Sequence, residues 1–283
     1  MEITIGIPFY NSSNFIAKAI QSVLNQTFED FELIITDDGS TDDSLSIIQQ
    51  YNDPRIIVLS DKENKGISHR LNQQIAHAKG KYFARMDADD LMFSERLMKE
   101  YEYLQQHPEI DVVGSQAIVI DDEDHIIGLR KPKNFSWLTT LQNPIFIHPT
   151  VMGKTTWFRK YGYIDTLKGV EDYDLWVRSF HHSKFHILDE PLLFYRDPLK
   201  LKLDVYLFRN KQIRQALSIN SNLIDNKTLI KKLKFKSYLK CILYRILHLL
   251  KLEHLLINKR NYKISPQEQE IFYRELQKVK RES

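Results

Sequence analysis

Residues 80–90 read Gly-Lys-Tyr-Phe-Ala-Arg-Met-Asp-Ala-Asp-Asp, and the fold turns on how they are read. Tyr82–Met86 is a short, mostly apolar run of strand length, and Asp87, Asp89 and Asp90 follow it directly. Such a run suits a strand covered on both faces. The arrangement recurs upstream. Ile3–Pro8 reads as a strand ending in Tyr10 and Asn11, and Phe31–Ile35 as a second ending in Asp37-Asp38-Gly39-Ser40-Thr41-Asp42. Ile56–Leu59 is a third. Helical spacing fills the gaps: Ile16, Ala19, Ile20 and Val23 after cap candidates at Asn11–Asn14; Leu45 and Ile48; Ile67, Leu71 and Ile75 after Gly66; Leu97, Tyr101 and Leu104 before Pro108. Strand–helix alternation predicts an α/β fold with right-handed crossovers and a mostly parallel sheet flanked by helices.

From about Ser115 the rhythm changes. Val112 and Val113 begin another strand. Ala117–Ile120 and Ile126–Arg130 flank a polar turn at Asp121–Asp124, as in an antiparallel hairpin. Glu171–Phe180 reads as a helix and Leu192–Tyr195 as a strand, and beyond Asp204 only helical, basic patterns remain.

The chain has 283 residues, 42% hydrophobic and 27% charged, enough for a packed core. Its one cysteine, Cys241, excludes an internal disulfide and suits a reducing cytoplasm. The opening MEITIGIPFYN lacks the basic start and apolar core of a secretion signal. The longest apolar candidate for a membrane span, Cys241–Ile257, is interrupted by Arg245, Lys251 and Glu253. Net charge is only +3, yet ten cations and a single acid, Glu253, fall between Lys227 and Arg260.

In a parallel sheet, ligands bind beyond the carboxyl ends of the strands. The three polar clusters sit at such ends, so the topology predicts that they meet in one crevice. The plainer account of Asp37–Asp42 is a turn and a helix cap, and Asp87–Asp90 could likewise cap the next helix. Carboxylates this close repel one another, however, and a divalent cation with oxygen ligands relieves the repulsion.

Ile7-Pro8-Phe9-Tyr10-Asn11, Ser22–Thr27, Thr36–Asp42, Asn64-Lys65-Gly66-Ile67, Gly80–Asp90 and Glu171-Asp172-Tyr173-Asp174-Leu175-Trp176 occur in this order. Together they resemble the motifs of inverting family 2 glycosyltransferases of bacterial surface-polysaccharide type, over about residues 1–200. The resemblance implies the GT-A fold, a Rossmann-like α/β sheet, in a catalytic domain of residues 1–203. Within it, 1–114 would be the nucleotide-binding half and 115–203 the acceptor half, with 204–283 as a helical, basic C-terminal region. It implies a hexose or N-acetylhexosamine moved from a nucleotide diphosphate, UDP in the first instance, to a glycan or lipid-linked glycan hydroxyl.

Residue roles follow from the same resemblance. Pro8 and Tyr10 would line the nucleobase pocket, and Asp38 would accept from the base edge. Asp87 would lie near the ribose, and Asp89 would hold Mn²⁺ or Mg²⁺ on the diphosphate, with Asp90 as helper. Arg70 and Arg85 would balance phosphate charge. Asp172 matches the general base, and Glu171 and His148 fall on the acceptor side. A single inverting displacement needs no nucleophilic Ser or Cys.

The tail from Thr228 to Ile257 repeats apolar residues at three and four among lysines. It would either pack on the catalytic domain or meet a membrane surface, making the protein cytoplasmic and peripheral on the inner face of the membrane. Three other readings compete. A sugar nucleotidyltransferase would need a Gly-rich basic loop after the first strand, where Tyr10-Asn11-Ser12-Ser13 has no glycine. A glycoside hydrolase would explain paired acids but not Tyr10 with Asp38. A nucleic-acid-binding protein would suit the basic tail but not an acid-lined crevice.

Overall fold

Seven consecutive buried residues form β1 (Ile3–Phe9), the centre of the parallel part of the sheet. A computed structural model describes residues 1–132, 136–197, 202–252 and 260–280. β2 (Phe31–Asp37) and β4 (Tyr82–Arg85) flank β1, both parallel to it, and β3 (Ile56–Ser60) extends the sheet beyond β2. The order β3-β2-β1-β4 reverses direction between β1 and β4. That reversal is a topological switch point, where a crevice opens at the carboxyl edge. The helices α1 (Ile16–Leu24), α2 (Ser44–Ile48) and α3 (Ile67–His77) are the crossovers, as the alternation predicts.

Beyond β4 the sheet becomes mixed. β8 (Met152–Lys154) runs antiparallel between β4 and β6 (Val112–Ile120), β6 pairs parallel with β9 (Phe185–Arg196), and β7 (Ile126–Arg130) closes the expected hairpin on β6. A two-residue strand, β5 (Leu91–Met92), pairs antiparallel with β9. The sequence divides β6 into two pieces because Gly114, Ser115 and Gln116 interrupt its apolar run. All nine positions are nonetheless buried, and the Ser115 N–H donates to Thr150 Oγ1 at 3.1 Å. β9 likewise reaches seven residues further back than Leu192–Tyr195, and β5 and β8 have no counterpart in the sequence reading.

Local chemistry explains one further difference. Asn11–Asn14 do not cap α1, whose N-cap is Phe15 with no side-chain bond. Asn11, Ser12 and Ser13 bind the loop after β2 and the start of α2 instead: the Ser12 N–H donates to Ser44 Oγ at 2.8 Å, the Ser13 N–H to Asp42 at 3.0 Å, and Asn11 accepts from the Thr41 N–H at 2.8 Å.

After α4 (Arg96–Gln106), α5 (Trp137–Thr140) and α6 (Thr155–Tyr161), α7 (Glu171–Ser179) carries the acidic pair. The C-terminal helices α8 (Leu203–Ile219), α9 (Ser221–Ile224) and α10 (Lys227–Leu249) pack on α7 through Tyr173, Val177, Leu217 and Leu233. Buried Asp174 fixes this contact, accepting from Arg178 at 2.6 Å and from Asn220 at 2.7 Å. The last helix, α11 (Pro266–Val279), returns to the sheet and buries Leu276 and Val279 against Leu91, Phe93 and Phe194. Just before it, Tyr262 pairs with Leu129 of β7 like one more strand residue.

Candidate active site

The loop after β2 is built by its own acids. Asp37 accepts from the Ser40 N–H at 2.8 Å and the Ser60 hydroxyl at 2.9 Å, and Asp42 accepts from Ser13 and Ser44. For these two the turn-and-cap account holds. Asp38 differs. It is 7% exposed and turned across to the start of α3, where it accepts from the Lys65 N–H at 2.8 Å, the Gly66 N–H at 3.0 Å and Arg70 Nε at 2.9 Å. Two glycines allow this. Gly66 has φ +89°, and Gly39 has φ +76° with the Glu63 carbonyl carbon 2.9 Å from where a Cβ would stand. Arg70, fully buried, also binds Asp61 and the Glu63 carbonyl. Pro8 is buried beside this loop, paired in register with Thr36, whereas Tyr10 is 50% exposed at the end of β1.

At the carboxyl end of β4, carboxylate oxygens of Asp87, Asp89 and Asp90 lie within 4.8 Å of one another. Asp90 is fully buried. Its Oδ1 accepts from the Arg196 N–H at 2.8 Å, and its Oδ2 has no partner among the described residues. Burial and the neighbouring Asp87 charge push Asp89 up to about 6, and burial with the same crowding raises Asp90 well above the ordinary carboxylate range. An unsatisfied buried oxygen in a set of three close, repelling carboxylates fits a divalent cation that prefers oxygen ligands, such as Mn²⁺ or Mg²⁺.

Arg196 shapes this loop from behind. Its Nε donates to the Asp89 carbonyl at 2.9 Å, and its guanidinium also binds the Asp121 carbonyl and Asp124. Asp124 in turn accepts from Lys18 and from Lys280 beyond the end of α11.

A cleft of about 680 Å³ opens beside the acid cluster, with Asp87, Arg85, His148, Glu171 and Asp172 in its lining. Arg85 is 2% exposed and ion-paired to Asp87, and its Nε and Nη1 have no partner among the described residues. Asp172 stands in the first turn of α7 and accepts from the Tyr173 N–H at 2.7 Å. Burial raises its pKa, against the pull of that N–H and of Arg209 and Arg85. Burial and the adjacent Asp172 charge push Glu171 to about 7. Burial, with Arg85 nearby, drives His148 well below its usual range, so it is a neutral ring bonded to the Tyr163 hydroxyl at 2.9 Å.

The cleft therefore gathers Arg85, Asp87, His148, Glu171 and Asp172. Pro8, Tyr10, Asp38, Arg70 and Asp89 are outside its lining, although Ile67, next to the Gly66 that binds Asp38, belongs to it. Sequence reasoning missed Arg130, Lys131, Tyr195, Arg209, Arg260 and Tyr262, which are among the other lining residues. Arg130 and Tyr195 had a signal, each standing at the end of an expected strand, Ile126–Arg130 and Leu192–Tyr195.

A parallel half-sheet with an acid cluster at its carboxyl edge, facing an acidic helix start across one cleft, is the α/β architecture of GT-A glycosyltransferases. The chain belongs to glycosyl transferase family 2, whose family model matches residues 4–167. It is 32% identical over 219 residues to the uncharacterized glycosyltransferase MJ1057 of Methanocaldococcus jannaschii, covering 74% of each chain. Among solved structures, S. aureus TarS 1–349 in complex with UDP-GlcNAc matches 77% of this chain and 66% of its own, with a TM-score of 0.62 at 20% identity. The mannosyltransferase PcManGT from Pyrobaculum calidifontis, in complex with GDP-Man and Mn²⁺, matches 98% of this chain and 84% of its own, with a TM-score of 0.63 at 16% identity.

Proposed function

We propose that the chain transfers a hexose or N-acetylhexosamine, with inversion, from a UDP-sugar to a hydroxyl of a glycan or lipid-linked glycan, in the assembly of a surface polysaccharide or lipo-oligosaccharide. The observation that carries this reading is the placement of Asp172 and Asp87 in one cleft, with Asp89 and Asp90 clustered on Asp87. UDP-GlcNAc and GDP-Man in the two structural neighbours support a nucleotide-sugar donor. The cytoplasm, where the lone buried Cys241 stays a thiol, is the compartment proposed.

Asp38, held by Arg70, presents its remaining lone pairs to the base edge, with Pro8 and Tyr10 beside the ring. Asp89, with Asp87 and Asp90 around it, would hold Mn²⁺ or Mg²⁺, which would supply Lewis-acid charge to the leaving diphosphate. Arg85, whose Nε and Nη1 have no partner among the described residues, would direct its charge at anionic or hydroxyl oxygens of the donor. Asp172 accepts the proton of the acceptor hydroxyl as that oxygen bonds to the anomeric carbon. The bond from that carbon to the diphosphate breaks, and the nucleoside diphosphate leaves with the electron pair. His148, neutral, keeps a hydrogen-bonding ring on the acceptor side without adding charge. Glu171, in the lining with Oε2 unpartnered among the described residues, would accept from a sugar hydroxyl on the acceptor side.

The test is a panel of nucleotide sugars assayed for Mn²⁺-dependent release of the nucleoside diphosphate, with and without candidate glycan acceptors. Release from a UDP-sugar, lost in Asp89→Asn, is expected. Failure of every donor to bind or turn over in the presence of Mn²⁺ would refute the reading.

A further inference from the structure

The helix α10 has two apolar faces. Ile230, Leu233, Ser237, Cys241 and Tyr244 are buried toward α8 and the catalytic domain. On the opposite side, Phe235, Tyr238, Leu239, Ile242, Ile246 and Leu249 run at spacings of three and four and are 48% to 81% exposed. At about 100° per residue, Lys234 and Arg245 border this stripe on one side and Lys236 and Lys240 on the other. The 23 residues of α10 carry seven Lys and Arg and no acid. Between α8 and α10 lies a groove of about 360 Å³, with Phe208, Tyr238 and Ile242 in its lining beside Lys211, Arg214 and Arg245. Arg214 is fixed there, 4.1 Å over the Tyr238 ring and bonded to Ser237 Oγ at 3.0 Å.

We propose that this face of α8 and α10 is a docking surface for a bilayer bearing anionic headgroups. The stripe would sink into the headgroup boundary while the flanking cations meet phosphates, and the groove would take one headgroup against Arg214. A second copy of the chain fits less well, since a two-fold pairing would set these lysines against one another. Among the described residues no helix is long and apolar enough to cross a membrane, so the contact would be peripheral. The surface also adjoins the cleft: Lys236 of α10 bonds Gln142, next to the lining residues Asn143 and Pro144, and Arg209 of α8 lines the cleft itself. An acceptor in the headgroup layer would then lie close to Asp172. This docking goes beyond the proposed transfer and does not depend on the donor.

Co-sedimentation of the full chain with phosphatidylglycerol-containing and pure phosphatidylcholine vesicles tests it. Binding is expected only to the anionic vesicles and weakens as salt rises. Ile242→Glu with Ile246→Glu should weaken the partition coefficient at least about tenfold. Lys231 and Lys232 are exposed on α10 one turn before Phe235, and Lys231→Ser with Lys232→Ser, which leaves the apolar stripe intact, should weaken binding about thirtyfold. An unchanged melting temperature confirms that both variants fold. Three results would overturn the proposal: no binding of the wild type to anionic vesicles, undiminished binding of the folded variants, or a dimer in sedimentation that Ile242→Glu with Ile246→Glu dissociates while vesicle binding is absent.

Discussion

Replacing Asp172 by Asn isolates the proton-transfer role, because the change removes basicity and little else. The Asn side chain keeps an oxygen that can accept from the Tyr173 N–H, the 2.7 Å bond that orients the carboxylate. The residue stands in the first turn of α7, so losing its charge gives up a modest helix-end interaction but also removes the cost of a desolvated carboxylate. Stability should therefore stay within about 1 kcal/mol of the wild type. A positioned general base contributes about 10²- to 10⁴-fold, so the barrier should rise by roughly 3–5 kcal/mol. Donor affinity should hardly change, since the Asp87, Asp89 and Asp90 cluster and the Asp38 loop keep all their bonds. The assay pairs turnover, followed as nucleoside diphosphate release in the presence of acceptor, with calorimetric titration of UDP and Mn²⁺. A turnover within about tenfold of the wild type would refute the base assignment. An equal loss in turnover and in UDP affinity would move Asp172 from proton transfer to donor binding.

Other expectations use the same geometry. Because Asp172 must be ionised to accept a proton and burial raises its pKa, the acid limb of kcat/KM should lie above the ordinary carboxylate range. Arg209 pulls that pKa down, so Arg209→Gln should move the limb to higher pH, and a limb that stays put or falls would contradict the charge assignment. Saturating Mn²⁺, at about a hundred times its Kd, should stabilise the wild type by about 2.7 kcal/mol. Calorimetry should show the corresponding rise in melting temperature, abolished in Asp89→Asn; a wild type indifferent to Mn²⁺ would count against the site. Gly80→Ala would place a Cβ 2.4 Å from the Thr4 backbone nitrogen and 2.6 Å from the Ile3 carbonyl carbon. Chemical denaturation should show a loss of at least about 1–3 kcal/mol, since backbone on both sides must give way; an undiminished midpoint would show that β1 yields there freely.

The parallel half of the fold was legible because each strand there is a short apolar run between turn signals, and each crossover helix repeats at three and four. What lay hidden depends on pairing. β6 carries Gly114, Ser115 and Gln116 through its middle, and pairing with β9, with the Ser115 bond to Thr150, makes those positions strand. β5 and β8, two and three residues long, hold too few side chains to show a period. In the site, Asp87, Asp89 and Asp172 stood out because acids crowd at element ends, a local signal. The pairing of Asp38 with Arg70 has no local signal, because the two are joined at 2.9 Å although 32 residues apart. Arg209, Arg260 and Tyr262 gave no sign, since in sequence they are ordinary surface residues of a basic tail.

These three bear on how the chain divides. The boundary near residue 203 separates the sheet from the C-terminal helices, yet the cleft crosses it. Arg209 comes from α8, and Tyr262 reaches the cleft through its pairing with Leu129. Lys280, beyond α11, binds the Asp124 that holds Arg196 against the Asp89 carbonyl. Acids thus come from the strand ends and the start of α7, while several of the cations that offset them come from the tail. A truncation at residue 203 would remove Arg209 and Arg260 from the cleft together with the buried side chains of α11 that cover Leu91 and Phe93. The Arg209 charge lowers the pKa of both Glu171 and Asp172 against the burial that raises them, so one counter-charge to the acidic pair comes from the tail. The C-terminal helices are therefore part of the electrostatics of the cleft as well as of its walls.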